Sequence, residues 1–241
     1  AYEIDRPPSQ PSLAQMTDTA IDALSEKEEG YFLMVEGSRI DHAGHANDAA
    51  AHLHDILAFN DAVETALNAA QNSNTLVVIV SDHETGGLTL GRNRDGNGIY
   101  AWHPSELADV EASSAAIADS IQTIRRSDAD PSTVKERIEG TIARLTDVSD
   151  PTNKRVRRLT DVEGTYSLGK TVSPVVNHEA LVGWTSHAHT AVDVSLYAYG
   201  PGANRFIGNH DNTSVARMLA DLMDVNLRTL TERMRASTAS E

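Results

Sequence analysis

The sequence predicts an α/β fold, a parallel sheet sandwiched by helices, with a helical insertion. Three observations predict it. Two strand-length apolar runs, Tyr31–Val35 and Leu76–Val80, flank a long stretch of helical periodicity. Each run ends in chemistry-bearing residues, Glu36 and Asp82-His83, and in parallel α/β sheets such residues collect past the carboxyl ends of the strands. Between residues 92 and 180 the character changes to turns, two helical patterns and an irregular polar stretch, and alternation returns only at Val192.

Residues 7–12 are rich in Pro and Ser and read as a loop. Leu13, Met16, Ala20, Ile21 and Leu24 then recur at helical spacing, with Gly30 placed to close the helix. Tyr31–Val35 reads as a buried strand. A second helix is expected over roughly residues 46–71, carried by Leu53, Ile56, Leu57, Val63 and Leu67. The β-branched run Thr75–Val80 reads as the next strand. Arg92–Gly98 is turn-rich. Within it, Asp95-Gly96-Asn97-Gly98 lacks the ligand spacing and closing Glu of a calcium loop and reads as a turn.

Leu107, Val110, Ile117, Ile121 and Ile124 predict one helix whose stripe is interrupted at Ser114. Asp130-Pro131-Ser132 opens another, carrying Val134, Ile138, Ile142 and Leu145. Residues 147–180 read as polar and irregular. Val192–Tyr199 alternates as a strand, and a last helix is expected from about Thr213 to Met234. The division that follows is an α/β core of residues 1–91 and 181–241 around an inserted helical cap, residues 92–180.

The acidic excess, 35 against 20, gives a formal net charge of −15. Such a surface repels nucleic acid and anionic membranes, so neither is an expected partner. It also repels phosphorylated substrates, so any anion site must carry local positive charge, which bound metal ions can supply. Only Lys27, Lys135, Lys154 and Lys170 are lysines, the other basic residues being arginine. Acid-rich, lysine-poor surfaces suit concentrated salt, although ordinary acidic bias gives the same composition. The absence of cysteine excludes disulfides and thiolate chemistry. No stretch approaches the ~20 apolar residues of a membrane span. Ala1-Tyr2-Glu3-Ile4-Asp5 does not resemble a signal peptide and reads as an internal start.

Three clusters carry candidate chemistry. Asp41 and His45 stand four apart, so one helical turn puts both on one face, where they can grip one metal ion. Taken alone, that pair is better explained as surface residues or caps. Asp82-His83 follow a strand directly, where Asp and His are also frequent helix caps. Thr185-Ser186-His187-Ala188-His189-Thr190 leads into a strand and can present one imidazole or both. Oxygen and nitrogen donors without sulfur, at strand edges, fit hydrolytic metal sites better than structural ones.

The segment Val35-Glu36-Gly37-Ser38-Arg39-Ile40-Asp41-His42, continuing to His45, resembles the alkaline phosphatase signature V-E-G-x-x-I-D-x-x-x-H. Ser81-Asp82-His83-Glu84-Thr85-Gly86-Gly87 and Trp184–Thr190, followed by Tyr197–Gly202, are similar to two later motifs of that family, in the same order. The resemblance covers roughly residues 1–92 and 180–225. It implies the carboxyl-terminal, metal-binding half of an alkaline phosphatase-like fold, with two Zn²⁺ ions and one Mg²⁺ as cofactors. Residue by residue it implies Glu36 on magnesium, Asp41, His45 and His189 on the first zinc, and Asp82 and His83 on the second.

His42 fills a position that in the family varies between Lys and His. That implies a water-mediated contact to phosphate, an influence on the third metal, or support behind the ligands. His187 does not match the ligand position, and His52, His54, His103, His178 and His210 read as surface or helix-face residues. The implied activity is hydrolysis of phosphate monoesters through a phosphoserine intermediate. Neither that serine nor the phosphate-clamping arginine has a matching motif here, so the amino-terminal half is expected to supply them and this chain alone to be inactive. A homodimer and an extracellular or periplasmic location are implied by the same resemblance. Two alternatives stand beside it: another hydrolase of the superfamily, a phosphodiesterase or sulfatase, or a non-catalytic metal-binding fragment.

Overall fold

In a computed structural model of the chain, residues 1–238 are described except 72, 94, 95, 97, 99, 151 and 162–164. A short 3₁₀ turn, Glu3–Asp5, precedes helices α1 (Leu13–Ser25), α2 (Arg39–Ala46) and α3 (Ala49–Ala70). Short strands follow: β1 (Val77–Val80), β2 (Glu84–Thr85), β3 (Thr89–Leu90), β4 (Arg92–Asn93) and β5 (Tyr100–Ala101). Helices α4 (Ser105–Ala108), α5 (Ser114–Arg125), α6 (Pro131–Thr146), α7 (Lys154–Asp161) and α8 (Thr165–Glu179) come next. The chain closes with β6 (Val182–Gly183), β7 (His189–Thr190), β8 (Leu196–Tyr199), α9 (Asn212–Leu222) and α10 (Leu227–Thr238).

Two compact units form, one of Ala1–Thr65 with His83–Val192, the other of Ala66–Asp82 with Asp193–Glu241. The largest core of the first unit lies among α5 to α8, where Ile117, Ile121, Ile138, Ile142, Leu159, Leu168, Val172 and Val175 are sealed from solvent. A smaller cluster joins Ala49 and Ala50 of α3 to Leu107, Val176, Ala180 and Val182, with Trp184 packed against it. In the second unit β1 pairs antiparallel with β8, Val77 opposite Tyr199 and Val80 opposite Leu196.

The expected parallel sheet is not seen among the described residues. They form four two-stranded antiparallel pairs, β1 with β8, β2 with β7, β3 with β6 and β4 with β5. Residues 31–35 are extended but form no ladder, and Phe32 and Met34 are 58% and 78% exposed. An apolar run specifies extended backbone, but a strand also needs a neighbour to accept its hydrogen bonds.

Four helix boundaries also depart from expectation. The first helix stops at Ser25, five residues short of Gly30. The predicted helix over Leu107–Ile124 is two, because Ser113 caps α5 by accepting from Ala116 N (3.1 Å), which makes Ser114 its first residue. Residues 147–180, expected to be irregular, hold α7 and α8. The charged run Lys154–Arg158 masks Val156 and Leu159, both buried. The final helix breaks into α9 and α10 around Asp224, which turns left-handed at φ 55°. Likewise only Leu196–Tyr199 of the alternating Val192–Tyr199 run is strand. Asp95 and Asn97 of the predicted turn lie outside the described residues.

Candidate metal centre

Helix α2 carries Asp41 and His45 one turn apart and ends at Asn47, which adopts the left-handed conformation at φ 52°. Asp48, sealed from solvent, then starts α3 by accepting from Ala51 N at 3.1 Å. Its other oxygen accepts from Ser114 N at 2.6 Å, so one carboxylate caps two helices. Burial holds Asp48 above the usual carboxylate range, against the pull of those backbone donors. Helix α8 grips the same turn: Ser173 donates to Ala46 O (3.2 Å) and Asn177 Nδ2 to Asn47 O (2.8 Å).

The other face of α2 closes on β2. A Cβ at Gly44 would stand 2.9 Å from Thr85 O and 3.0 Å from Thr85 Cβ, so only glycine permits this approach. The contact lets the buried Thr85 hydroxyl donate to Asp41 Oδ1 at 2.6 Å. Strand β2 pairs with β7, setting Thr85 opposite His189. Gly86 (φ 91°) anchors the intervening loop, donating to Ala188 O and accepting from Thr185 N and Ser186 N. The Thr190 hydroxyl donates to Glu84, whose carboxylate also accepts from Gly87 N (2.8 and 3.0 Å).

Asp41, His45 and His189 therefore converge from segments far apart in the chain. His45 Nε2 lies 3.4 Å from Asp41 Oδ1, His189 Nε2 lies 3.6 Å from the same oxygen, and the two nitrogens are 3.2 Å apart. A tetrahedral zinc ion with bonds of about 2.0–2.1 Å places its ligand atoms about 3.3–3.4 Å apart. The three edges fit that figure. His45 Nδ1 donates to His187 O at 2.6 Å, which leaves a neutral His45 with its Nε2 lone pair facing the cluster.

The remaining sites divide clearly. His83 stacks on His189, ring centroids 3.5 Å apart and 19° from parallel. Its Nδ1 is 3.2 Å from Thr85 Oγ1. Because that hydroxyl gives its hydrogen to Asp41, His83 donates to it from Nδ1 and keeps Nε2 as an acceptor. Asp82 ends the 66–82 segment of the second unit. Glu36 is exposed and stands outside the close cluster of Asp41, His45 and His189. His42 is exposed, 3.4 Å from an Arg39 nitrogen. His187 Nδ1 donates to His45 O at 3.0 Å, so His187 braces the helix end. His178, read from sequence as a surface or helix-face residue, is instead buried and accepts from Arg92 Nη2 at 2.6 Å. Desolvation pushes Asp41 up, but the Thr85 hydroxyl and then His45, His189 and His83 outweigh it and hold the carboxyl below its ordinary range.

Thr85 and His187 are the functional residues sequence reasoning left without a role. Thr85 stands inside a quoted motif, two residues from His83, and only the closure of α2 on β2 reveals its bond to Asp41.

The alkaline phosphatase family model matches residues 1–225. The chain belongs to the alkaline phosphatase family. It is 34% identical over 256 residues to the repressible alkaline phosphatase of Saccharomyces cerevisiae, covering 97% of this chain and 45% of that protein. To the alkaline phosphatase of Schizosaccharomyces pombe it is 32% identical over 243 residues, covering 98% of this chain and 45% of that one. Its fold matches the crystal structure of a cold-active alkaline phosphatase from a psychrophilic Shewanella with a TM-score of 0.79 at 32% identity, covering 92% of this chain and 52% of the other. The chain thus spans about half the length of these alkaline phosphatases.

Proposed function

We propose that this chain forms the metal-binding part of an enzyme that hydrolyses phosphate monoesters. One observation carries the proposal: Asp41, His45 and His189 meet at tetrahedral ligand spacing in a member of the alkaline phosphatase family. Asp41, His45 and His189 would hold one Zn²⁺, Asp82 and His83 a second, and Glu36 a Mg²⁺. The donor set is oxygen and nitrogen only, which suits hydrolytic zinc and a magnesium ion. When bound, the ions would neutralise phosphate charge and act as Lewis acids.

The chain's own residues prepare that site. Thr85 holds one Asp41 oxygen, the His187 carbonyl fixes the His45 tautomer, and Thr85 again fixes that of His83. His42 would reach bound phosphate through water. The nucleophilic serine, its phosphoserine intermediate and the clamping arginine are assigned to a part of the enzyme outside these residues, so this chain alone would be inactive. Residues 31–35 and β1 would find parallel neighbours in that same part. Residues 92–180 would act as a cap over a core of residues 1–91 and 181–241. A homodimer and an extracellular or periplasmic site of action are proposed on family grounds.

The test is hydrolysis of p-nitrophenyl phosphate, with Zn²⁺ and Mg²⁺, by the longest natural chain that carries these residues. Turnover is expected, with near-complete loss in His189→Ala. Faster turnover of bis-p-nitrophenyl phosphate or p-nitrophenyl sulfate would assign the enzyme to the phosphodiesterases or sulfatases. Loss of none of the activity in His189→Ala would overturn the site.

A further inference from the structure

We propose that a second, metal-independent site binds a phosphate-class oxyanion in the cavity between the end of α2, α8 and the segment around Trp184. This inference rests on the phosphatase reading only for the source of the anion. The cavity holds about 280 Å³ and is lined by Asn47, Arg92, Arg155, Lys170, Asn177 and Trp184, among others. Three cationic side chains thus share one hollow in a protein of net charge −15.

Several of the lining residues carry buried polar atoms that no group among the described residues answers. Arg92 Nη2 is committed to His178, which fixes the guanidinium, yet Arg92 Nε is buried and no group among the described residues answers it. Trp184 Nε1, a donor only, is buried and unanswered in the same way. Buried donors left without acceptors are unfavourable, so a ligand that answers them would be held. No carboxylate among the described residues pairs with Arg92 or Arg155. Arginine forks and a lysine ammonium are recurrent donors to phosphate oxygens, so this lining suits a phosphate-class oxyanion. The amide oxygens of Asn47 and Asn177 are buried and equally unanswered, and they offer acceptors to a hydroxyl of the protonated anion or of an attached sugar or polyol.

The cavity shares structure with the metal centre without sharing its ligands. Asn47 ends the helix that carries Asp41 and His45, and His187, which also lines the cavity, is bonded to the His45 backbone. The anion is therefore either free phosphate or the second phosphate of a doubly phosphorylated substrate, and both use the same donors.

Isothermal titration of this chain with inorganic phosphate, in excess chelator so that no metal competes, tests the site. Saturable binding is expected. Arg155→Ala and Lys170→Ala, which leave the Arg92–His178 bond intact, are each expected to weaken it at least about tenfold. No saturable binding by the wild-type chain, or binding unchanged in both variants with the fold retained by circular dichroism, overturns the proposal. In the metal-loaded longer enzyme, a KM raised in the variants for a bisphosphate but not for p-nitrophenyl phosphate assigns the anion to the substrate. Unchanged KM for both, with phosphate binding lost, assigns it to free phosphate. Because binding is read without metal or turnover, an enzyme inactive on p-nitrophenyl phosphate would defeat the proposed function and leave this site standing.

Discussion

Thr85 sets the chemistry of the candidate centre at the smallest scale. One hydroxyl donates to Asp41 and receives from His83, so it fixes a carboxylate and an imidazole tautomer together. Thr85→Val keeps the shape and removes both bonds. Zinc affinity is expected to fall about 10–100-fold, with Thr85→Ser restoring it, as read by competition with a chromophoric chelator. Equal affinity in Thr85→Val would remove Thr85 from the site. Asp55 offers a separate test. Burial, followed by the Glu3 charge, raises it to about 6, against the pull of the Glu3 backbone N–H and of Arg39. A raised carboxylate binds its proton more tightly in the folded state, so stability from this group is full below about pH 4 and is lost as pH rises through 6. Asp55→Asn should therefore gain on the wild type in urea midpoint at pH 7.5 more than at pH 4.5. An identical difference at both pH values would contradict the shift.

At the level of elements, the centre depends on how closely α2 approaches β2 and on what holds its end. A methyl group at Gly44 would meet Thr85 backbone, which cannot rotate away. Gly44→Ala is expected to cost about 1–3 kcal/mol and to weaken zinc binding in parallel, so chemical denaturation and metal titration should move together. A stable variant with normal zinc affinity would refute the close approach. Asp48→Ala strips the buried cap from both α3 and α5 and is expected to cost about 2–4 kcal/mol. The same elements show what was legible. Asp41 and His45 could be paired from sequence because helical spacing alone puts them on one face. His189 joined them only through the family resemblance and Thr85 was given no role, because their positions depend on the pairing of β2 with β7 across the chain. Helix α7 was hidden because its four basic residues outnumber Val156 and Leu159, and α8 because Pro174 and several Ser and Thr residues interrupt its apolar spacing. The strands were read as extended, but the antiparallel pairings of the described residues were not foreseen, since apolar content carries no information about which neighbour a strand pairs with.

For the whole molecule, charge is the governing fact. At −15, self-repulsion opposes folding at low ionic strength, and screening relieves it. The thermal midpoint is expected to rise from low salt to molar KCl, and a flat or falling midpoint would set aside adaptation to concentrated salt. Against that background, an anion-handling enzyme needs local cations, which the metal centre and the arginine-lined cavity would provide separately. Asp41, His45 and His189 come together from distant segments in a member of the alkaline phosphatase family, which supports proposing the first of these at that point. Anomalous diffraction at the zinc edge from zinc-loaded crystals tests it most directly. A peak is expected within bonding distance of Asp41, His45 Nε2 and His189 Nε2; density at His187 instead, or none beside Asp41, would contradict the account.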